Sequence, residues 1–163
     1  MAYRDVFRYL GTTRWFPSVA ARVAPLDARV LKASKGRFGL LGSYGFPQLL
    51  LTTTGRKSGQ PRTVTLLYGR HGDEMVLVGS NFGQAHHPAW ALNLEATPEA
   101  VVEVDGVVTP VVARLVTDPE EREAIWEQMI AMYPGYAMYR TRAGRDIKVF
   151  AVQAVGEPGT IGA

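Results

Sequence analysis

Two periods alternate along this chain, and the change from one to the other sets its plan. Residues 3–10 and 26–35 carry apolar side chains at helical spacing. In the first, Val6, Phe7 and Leu10 share one side while Arg4 and Arg8 share another, the pattern of a basic amphipathic helix. From Gln48 the period shortens to that of strands. Gln48–Thr54 (QLLLTTT) and Arg62–Tyr68 (RTVTLLY) flank the turn-forming stretch Gly55–Gln60, which predicts a hairpin. His71-Gly72-Asp73 is a second turn, leading into Met75–Gly79 (MVLVG), apolar throughout and so expected to be covered on both faces. Pro88–Leu94 reads as a helix and Ala100–Val104 as a strand. Asp105-Gly106 then turns the chain into a strand over Val107–Val116, where Pro110 predicts a bulge or an edge.

Thr117-Asp118-Pro119-Glu120-Glu121 is the clearest helix start. Asp118 can cap, Pro119 suits the first helical position, and the two glutamates complement the positive helix end. Ala124, Ile125, Gln128, Met129 and Met132 follow at helical spacing until Pro134-Gly135 breaks the run. Ile147–Ala154 predicts a last strand, and Gly156–Ala163 a loose tail. About six strands joined by hairpins, with one long helix before the last, predict a mainly β fold: an antiparallel barrel with helices packed outside. The expected division is a basic helical segment over residues 1–37, the barrel over 38–155, and the tail over 156–163.

The 163 residues suit one domain, and 47% hydrophobic with 20% charged residues is ordinary globular composition. There is no cysteine, which excludes disulfides, thiolate catalysis, iron–sulfur clusters and cysteine zinc sites together. No apolar run reaches the roughly 18 residues a membrane span needs. Met1-Ala2-Tyr3-Arg4-Asp5 lacks the pattern of a secretory signal, so a cytoplasmic location is expected. Charge is uneven. Residues 1–37 hold eight cations against two carboxylates, a balance of +6, whereas the rest holds ten against thirteen, a balance of −3. Such a front end suits an anionic partner, whether a lipid surface such as the inner face of the cell membrane, a poly-acidic cofactor tail or nucleic acid, and it equally suits a solvated surface arm. No nucleic-acid reading motif accompanies it. His86 and His87 are adjacent, so their side chains diverge, and no metal site is expected.

The run Thr52-Thr53-Thr54-Gly55-Arg56-Lys57-Ser58-Gly59-Gln60-Pro61-Arg62 concentrates three cations, several hydroxyls and two glycines in one turn. Phosphate recognition uses such a set, charge-assisted donors around an approachable backbone; a soluble basic hairpin tip has the same composition. Neither a Gly-x-Gly-x-x-Gly after a strand nor a Walker loop is present, so a nucleotide-type cofactor would have to be held another way.

The runs LTTTGRKSGQPR, LLYGRHGDEMVLVGSNFGQAHHPAWALNL and MYPGYAMY resemble, in order and spacing, the deazaflavin (F420)-dependent nitroreductase family. That family belongs to the flavin/deazaflavin oxidoreductase superfamily of split β-barrels, of the flavin-reductase and pyridoxamine-oxidase kind. The resemblance implies coenzyme F420, with Arg56, Lys57, Ser58, Gly59 and Arg62 at its phosphate. It sets Leu66, Leu67 and Tyr68 beside the deazaflavin ring, Ser80 near the ring's reactive edge, and Gly83, Pro88, Trp90 and Asn93 in the segment closing over it. Tyr133, Tyr136 and Tyr139 correspond to a tyrosine cluster lining the acceptor pocket; three phenols at this spacing also fit one packed helical face. Asn81 departs from the lysine that some members carry. The implied activity is hydride transfer from reduced F420 to a quinone, an activated alkene or a nitro compound. An FMN-binding reductase or oxidase on the same barrel, and a non-catalytic deazaflavin carrier, remain as alternatives.

Overall fold

The computed structural model describes residues 45–156, the pair Gly159–Thr160 and three isolated helical positions, Arg22, Leu26 and Val30. The amphipathic helix expected over residues 3–10 and most of the basic segment 1–37 lie outside the described residues. Among these, the chain runs β1 (Gln48–Thr54), β2 (Pro61–Leu67), β3 (Gly69–His71), β4 (Glu74–Val78), a single 3-10 turn over Asn81–Gly83, α1 (Ala89–Ala96), β5 (Glu99–Val104) and β6 (Val107–Leu115). Then come α2 (Pro119–Met132), α3 (Gly135–Arg142), β7 (Val149–Ala154) and β8 (Gly159–Thr160).

All strand pairs are antiparallel, in the order β2-β1-β5-β6-β7-β4-β3, with β8 added to β6. β2 and β3 are therefore the two ends of the path, yet only Tyr68 separates them in the chain. In a flat sheet these ends would lie nearly 30 Å apart, at about 4.8 Å per strand. One residue cannot bridge that. The sheet must curl on itself, and Tyr68 N, donating to Pro47 O at 3.2 Å, carries the β1–β2 ladder one rung further up to the point where the chain enters β3. This is the split barrel expected from the sequence.

Strand alternation divides the buried residues into two cores. Leu49, Leu51, Val64, Leu77, Val102, Val111, Phe150 and Val152 point into the barrel, joined by Trp90, Ala91 and Leu94 of α1. Val76, Val78, Val149 and Ala151 point outward, against Ile125, Trp126 and Met129 of α2 and Tyr136 and Tyr139 of α3. β4 and β7 thus serve both cores, which is why Met75–Gly79 is apolar throughout.

Local chemistry explains the joints. Asp105 (φ 51°) and Gly106 (φ 81°) are both left-handed, as a two-residue hairpin between Val104 and Val107 requires. The Asp118 carboxylate accepts from Glu121 N at 2.8 Å and caps α2. Pro110 sits inside β6, in an interior strand and not at an edge. Its missing N–H faces the gap between β7 and β8, where Val155 N meets Pro110 O at 3.0 Å. Three differences from the sequence reading stand out. The buried side of α2 is Ile125, Trp126 and Met129, while Ala124 and Gln128 face solvent. The run does break before Pro134-Gly135, at Met132, but an unexpected second helix, α3, starts directly after it, since a proline before the first turn withholds no needed donor. The expected loose tail contributes β8.

Candidate active site

The β1–β2 turn is held from beneath. Gly55 N and O close it through Gln60 O at 2.9 Å and Gly59 N at 2.7 Å. A side chain at Gly55 would lie 2.8 Å from Ser58 Oγ and 3.0 Å from Gln60 O, so only glycine fits. Asn93 of α1 reaches the turn: its Oδ1 accepts from Arg56 N at 3.1 Å, and its Nδ2 donates to Thr53 Oγ1 at 3.0 Å. Thr53 and Asn93 are 2% and 3% exposed, so this brace works away from water, where a hydrogen bond has few competitors. Above it, Arg56, Lys57, Ser58, Gly59 and Arg62 are exposed, with Arg62 Nη2 3.5 Å from Ser58 Oγ. Arg114, Arg122, Arg140 and Lys148 all pair with carboxylates. Among the described residues, no carboxylate pairs with Arg56, Lys57 or Arg62. Gly59 is left-handed, with open space where a side chain would stand. A braced turn bearing three cations that meet no carboxylate among the described residues fits an anionic group.

β2 leads from this turn to the other candidate residues. Arg62 and Leu67 are five residues apart, roughly 17 Å of strand. There the alternation separates neighbours: Leu66 and Tyr68 pack on the barrel interior, Leu67 on the outer core. The outer core holds the three tyrosines, all buried, with ring centroids 5.9 to 6.2 Å apart. Tyr133 Oη lies 3.5 Å from Tyr139 Oη, Phe46 meets Tyr133 edge-on, and Trp126 meets Tyr136 edge-on. Gly135 leaves room for this, since a side chain there would fall 2.4 Å from the Tyr133 ring. Burial raises all three phenol pKa values, most for Tyr139, where Tyr133 adds to it. These tyrosines are neutral donors across the working pH range.

Ser80 is buried at the end of β4 and opens a loop of unusual backbone. Asn81 (φ 47°), Phe82 (φ 54°) and Gly83 (φ 72°) are left-handed in succession. For the two non-glycine residues this costs on the order of 1–3 kcal/mol each, so surrounding contacts must hold it. Gly83 N donates to Ser80 O at 2.9 Å, Asn81 Nδ2 to His86 O at 3.1 Å, and Phe82 packs edge-on to Tyr139. The loop therefore joins Ser80 to the tyrosine layer. Of the remaining expected residues, Pro88 caps α1, and Trp90 packs on Phe150 inside the barrel, where it seats α1.

Sequence reasoning missed Thr53, which shares the Asn93 brace, and Arg145, whose guanidinium reaches Gly79, Ser80 and Gln84. Neither partner set is close in sequence. Among the described residues, no helix is long and apolar enough to cross a membrane.

Comparison with known proteins bears on this arrangement directly. A family model described as F420H(2)-dependent quinone reductase matches residues 25–154. An F420H(2)-dependent quinone reductase of Mycobacterium tuberculosis is 33% identical over 141 residues, covering 84% of this chain and 94% of that one. Among solved structures, an F420-H2 dependent reductase, FDR-A, is 38% identical with a TM-score of 0.58, covering 66% of this chain and 94% of that one. A Listeria innocua protein assigned as a pyridoxamine 5′-phosphate oxidase shares the fold alone, at 14% identity and a TM-score of 0.51 over 83% of this chain and 98% of that one.

Proposed function

The chain belongs to the F420H(2)-dependent quinone reductase family, and we propose that it transfers a hydride from reduced F420 to a quinone. The observation that carries the reading is the braced turn whose three cations meet no carboxylate among the described residues, because F420 bears a phosphate and a strong anion site needs such donors. Arg56, Lys57 and Arg62 would hold that phosphate with Ser58 Oγ and the open backbone at Gly59. Leu67, on the tyrosine side of β2, would give the ring an apolar edge, while Leu66 and Tyr68, packed on the barrel interior, would hold that stretch of backbone in place. Bound F420 supplies the hydride and with it the electron pair.

The protein's part is to bind, orient and exclude water. The loop that Ser80 opens meets the tyrosine layer through Phe82 and Tyr139, and an acceptor held against Ser80 or a phenol would meet a neutral hydroxyl donor as negative charge develops on its oxygen. The raised phenol pKa values suit a donor and exclude a general base. Activated alkenes and nitro compounds present the same electron-poor centre beside an oxygen acceptor. The basic residues 1–37, with their +6 balance, would meet an anionic membrane surface where lipid-soluble quinones partition.

A fluorescence titration with F420 and FMN in parallel, followed by turnover of a soluble benzoquinone, tests the reading. Tight F420 binding with quinone-dependent oxidation is expected. Preferential FMN binding would make this a flavin enzyme on the same barrel. F420 binding with no acceptor consumed would make it a carrier.

A further inference from the structure

Between α3 and β7 lies a guanidinium with every donor engaged. Arg145 Nε donates to Gln84 O at 3.0 Å, and Nη2 to Gly79 O at 3.0 Å and Ser80 O at 3.3 Å. Nη1 donates to Asp146 O at 3.3 Å and lies 3.0 Å from His87 Nδ1. Five N–H groups in one plane thus meet five acceptors, none of them a carboxylate. Arg114, Arg122 and Arg140 behave otherwise, each gripping an acidic side chain at the surface. Three of Arg145's acceptors are the backbone carbonyls on either side of Asn81–Gly83, the left-handed stretch. One planar group therefore ties together both ends of a backbone path that side chains rarely adopt.

His87 completes the set. A guanidinium only donates, so Nδ1 accepts and the ring proton sits on Nε2. A proton on Nδ1 would remove the acceptor and set two cations together. Lys148 adds a further positive charge near this ring, while Asp146 and Glu95 of α1 oppose it, Glu95 being engaged by Lys148 at 2.7 Å. Burial first, then Arg145 and Lys148, hold the His87 pKa below its ordinary value.

We infer that Arg145 is a positioning residue for the reaction: it fixes the Ser80–Gln84 loop in its left-handed course, and His87 makes that clamp sensitive to acid. The inference rests on the reading of Ser80 as a residue beside the reacting ring. The direction with pH follows from the acceptor role. His87 is neutral above about pH 6.5, and the clamp is complete there. As pH falls through the lowered pKa of the folded state, Nδ1 takes a proton, Arg145 loses a partner, and the loop is released.

The test measures kcat with saturating reduced F420 and a soluble benzoquinone, F420 affinity by fluorescence, and amide exchange at Phe82 and Gly83. Arg145→Lys offers three donors on a point charge and cannot span these carbonyls. It should lower kcat on the order of tenfold to a hundredfold. Its F420 affinity should stay within about twofold, while exchange at Phe82 and Gly83 speeds up, a split that general loss of stability would not give. His87→Asn places a non-titrating oxygen where Nδ1 stood and should flatten the decline of kcat that the parent shows below about pH 6.5. An unchanged kcat in Arg145→Lys, or an acid decline that persists in His87→Asn, overturns the inference. Should Arg145→Lys not fold, the His87→Asn profile decides alone. If Ser80→Ala keeps full kcat while Arg145→Lys still speeds loop exchange, the clamp stands and the placement of the reaction at Ser80 fails.

Discussion

Arg56, Lys57 and Arg62 stand in water at one end of β2, whereas Tyr133, Tyr136 and Tyr139 are packed away from it beyond the other end. The turn carries charge that the fold does not use, since its cations neither fill a core nor pair with a carboxylate among the described residues. The tyrosine layer is the reverse: its rings join α2 and α3 to the outer face of the sheet, and its hydroxyls are a small polar addition to an apolar structure. Binding and stability should therefore separate by region. Substitutions in the turn should cost affinity at constant stability, and truncations in the layer should cost stability first.

The largest expected effect is in the layer. Tyr136 is buried against Trp126, Tyr133 and Tyr139, so Tyr136→Ala removes a ring with contacts on several sides. A loss of about 3–5 kcal/mol in unfolding free energy is expected by denaturant titration. Fluorescence titration of the folded fraction should show F420 affinity within a few-fold of the parent. Affinity falling in step with stability would mean that the two regions are one unit.

The turn comes next. Arg56→Ala, Lys57→Ala or Arg62→Ala should each weaken F420 binding by about 10- to 150-fold if each makes a charge-assisted hydrogen bond of roughly 1.5–3 kcal/mol. Unfolding free energy should change by no more than about 0.5 kcal/mol, as for other exposed substitutions. Unchanged affinity in all three would remove the phosphate from this turn. Asn93→Ala is the case that should cross the divide. It takes the acceptor from the part-buried Arg56 amide and leaves the buried Thr53 hydroxyl only its 3.4 Å bond to Arg62 O, which costs about 1–3 kcal/mol of stability, and it also frees the turn to move. Loss on both measures is expected, and loss on stability alone would show that the brace does not preorganise the turn.

Most of the barrel was legible because local rules agreed with the fold. The hairpin around Gly55–Gln60, the Asp105-Gly106 turn and the Asp118 cap each announce themselves within a few residues, and the structure follows all three. Legibility stopped where a residue's partners are remote. Asn93 meets Arg56 and Thr53 from about forty positions away, and Arg145 meets Gly79 and Ser80 from more than sixty. An arginine in Ala-Gly-Arg-Asp reads as a solvated loop cation, and no local signal marks it as a clamp. The left-handed Phe82 was equally hidden, since a bulky residue is the last expected there. α3 was missed for another reason: Pro134-Gly135 is a genuine break in the hydrogen-bond ladder, and sequence does not say that a second helix begins on its far side.

The smallest effect should be the most informative about chemistry. Tyr133→Phe and Tyr139→Phe delete a hydroxyl contact of 3.5 Å, at the long limit for a hydrogen bond, so each should cost less than about 1 kcal/mol of stability. Because burial raises the folded-state phenol pKa values, the unfolded chain releases these protons first. Stability from the layer is therefore complete below about pH 10 and declines as pH rises above it, and the phenylalanine variants should flatten that decline. Acceptors then separate the layer's two roles. If the hydroxyls meet the acceptor, the ratio of kcat/KM for a polar benzoquinone to that for a bulky apolar one should fall in at least one variant while F420 affinity holds. Ratios that stay constant across Tyr133→Phe, Tyr136→Phe and Tyr139→Phe would leave the tyrosines as packing alone, and proton donation would then rest with Ser80.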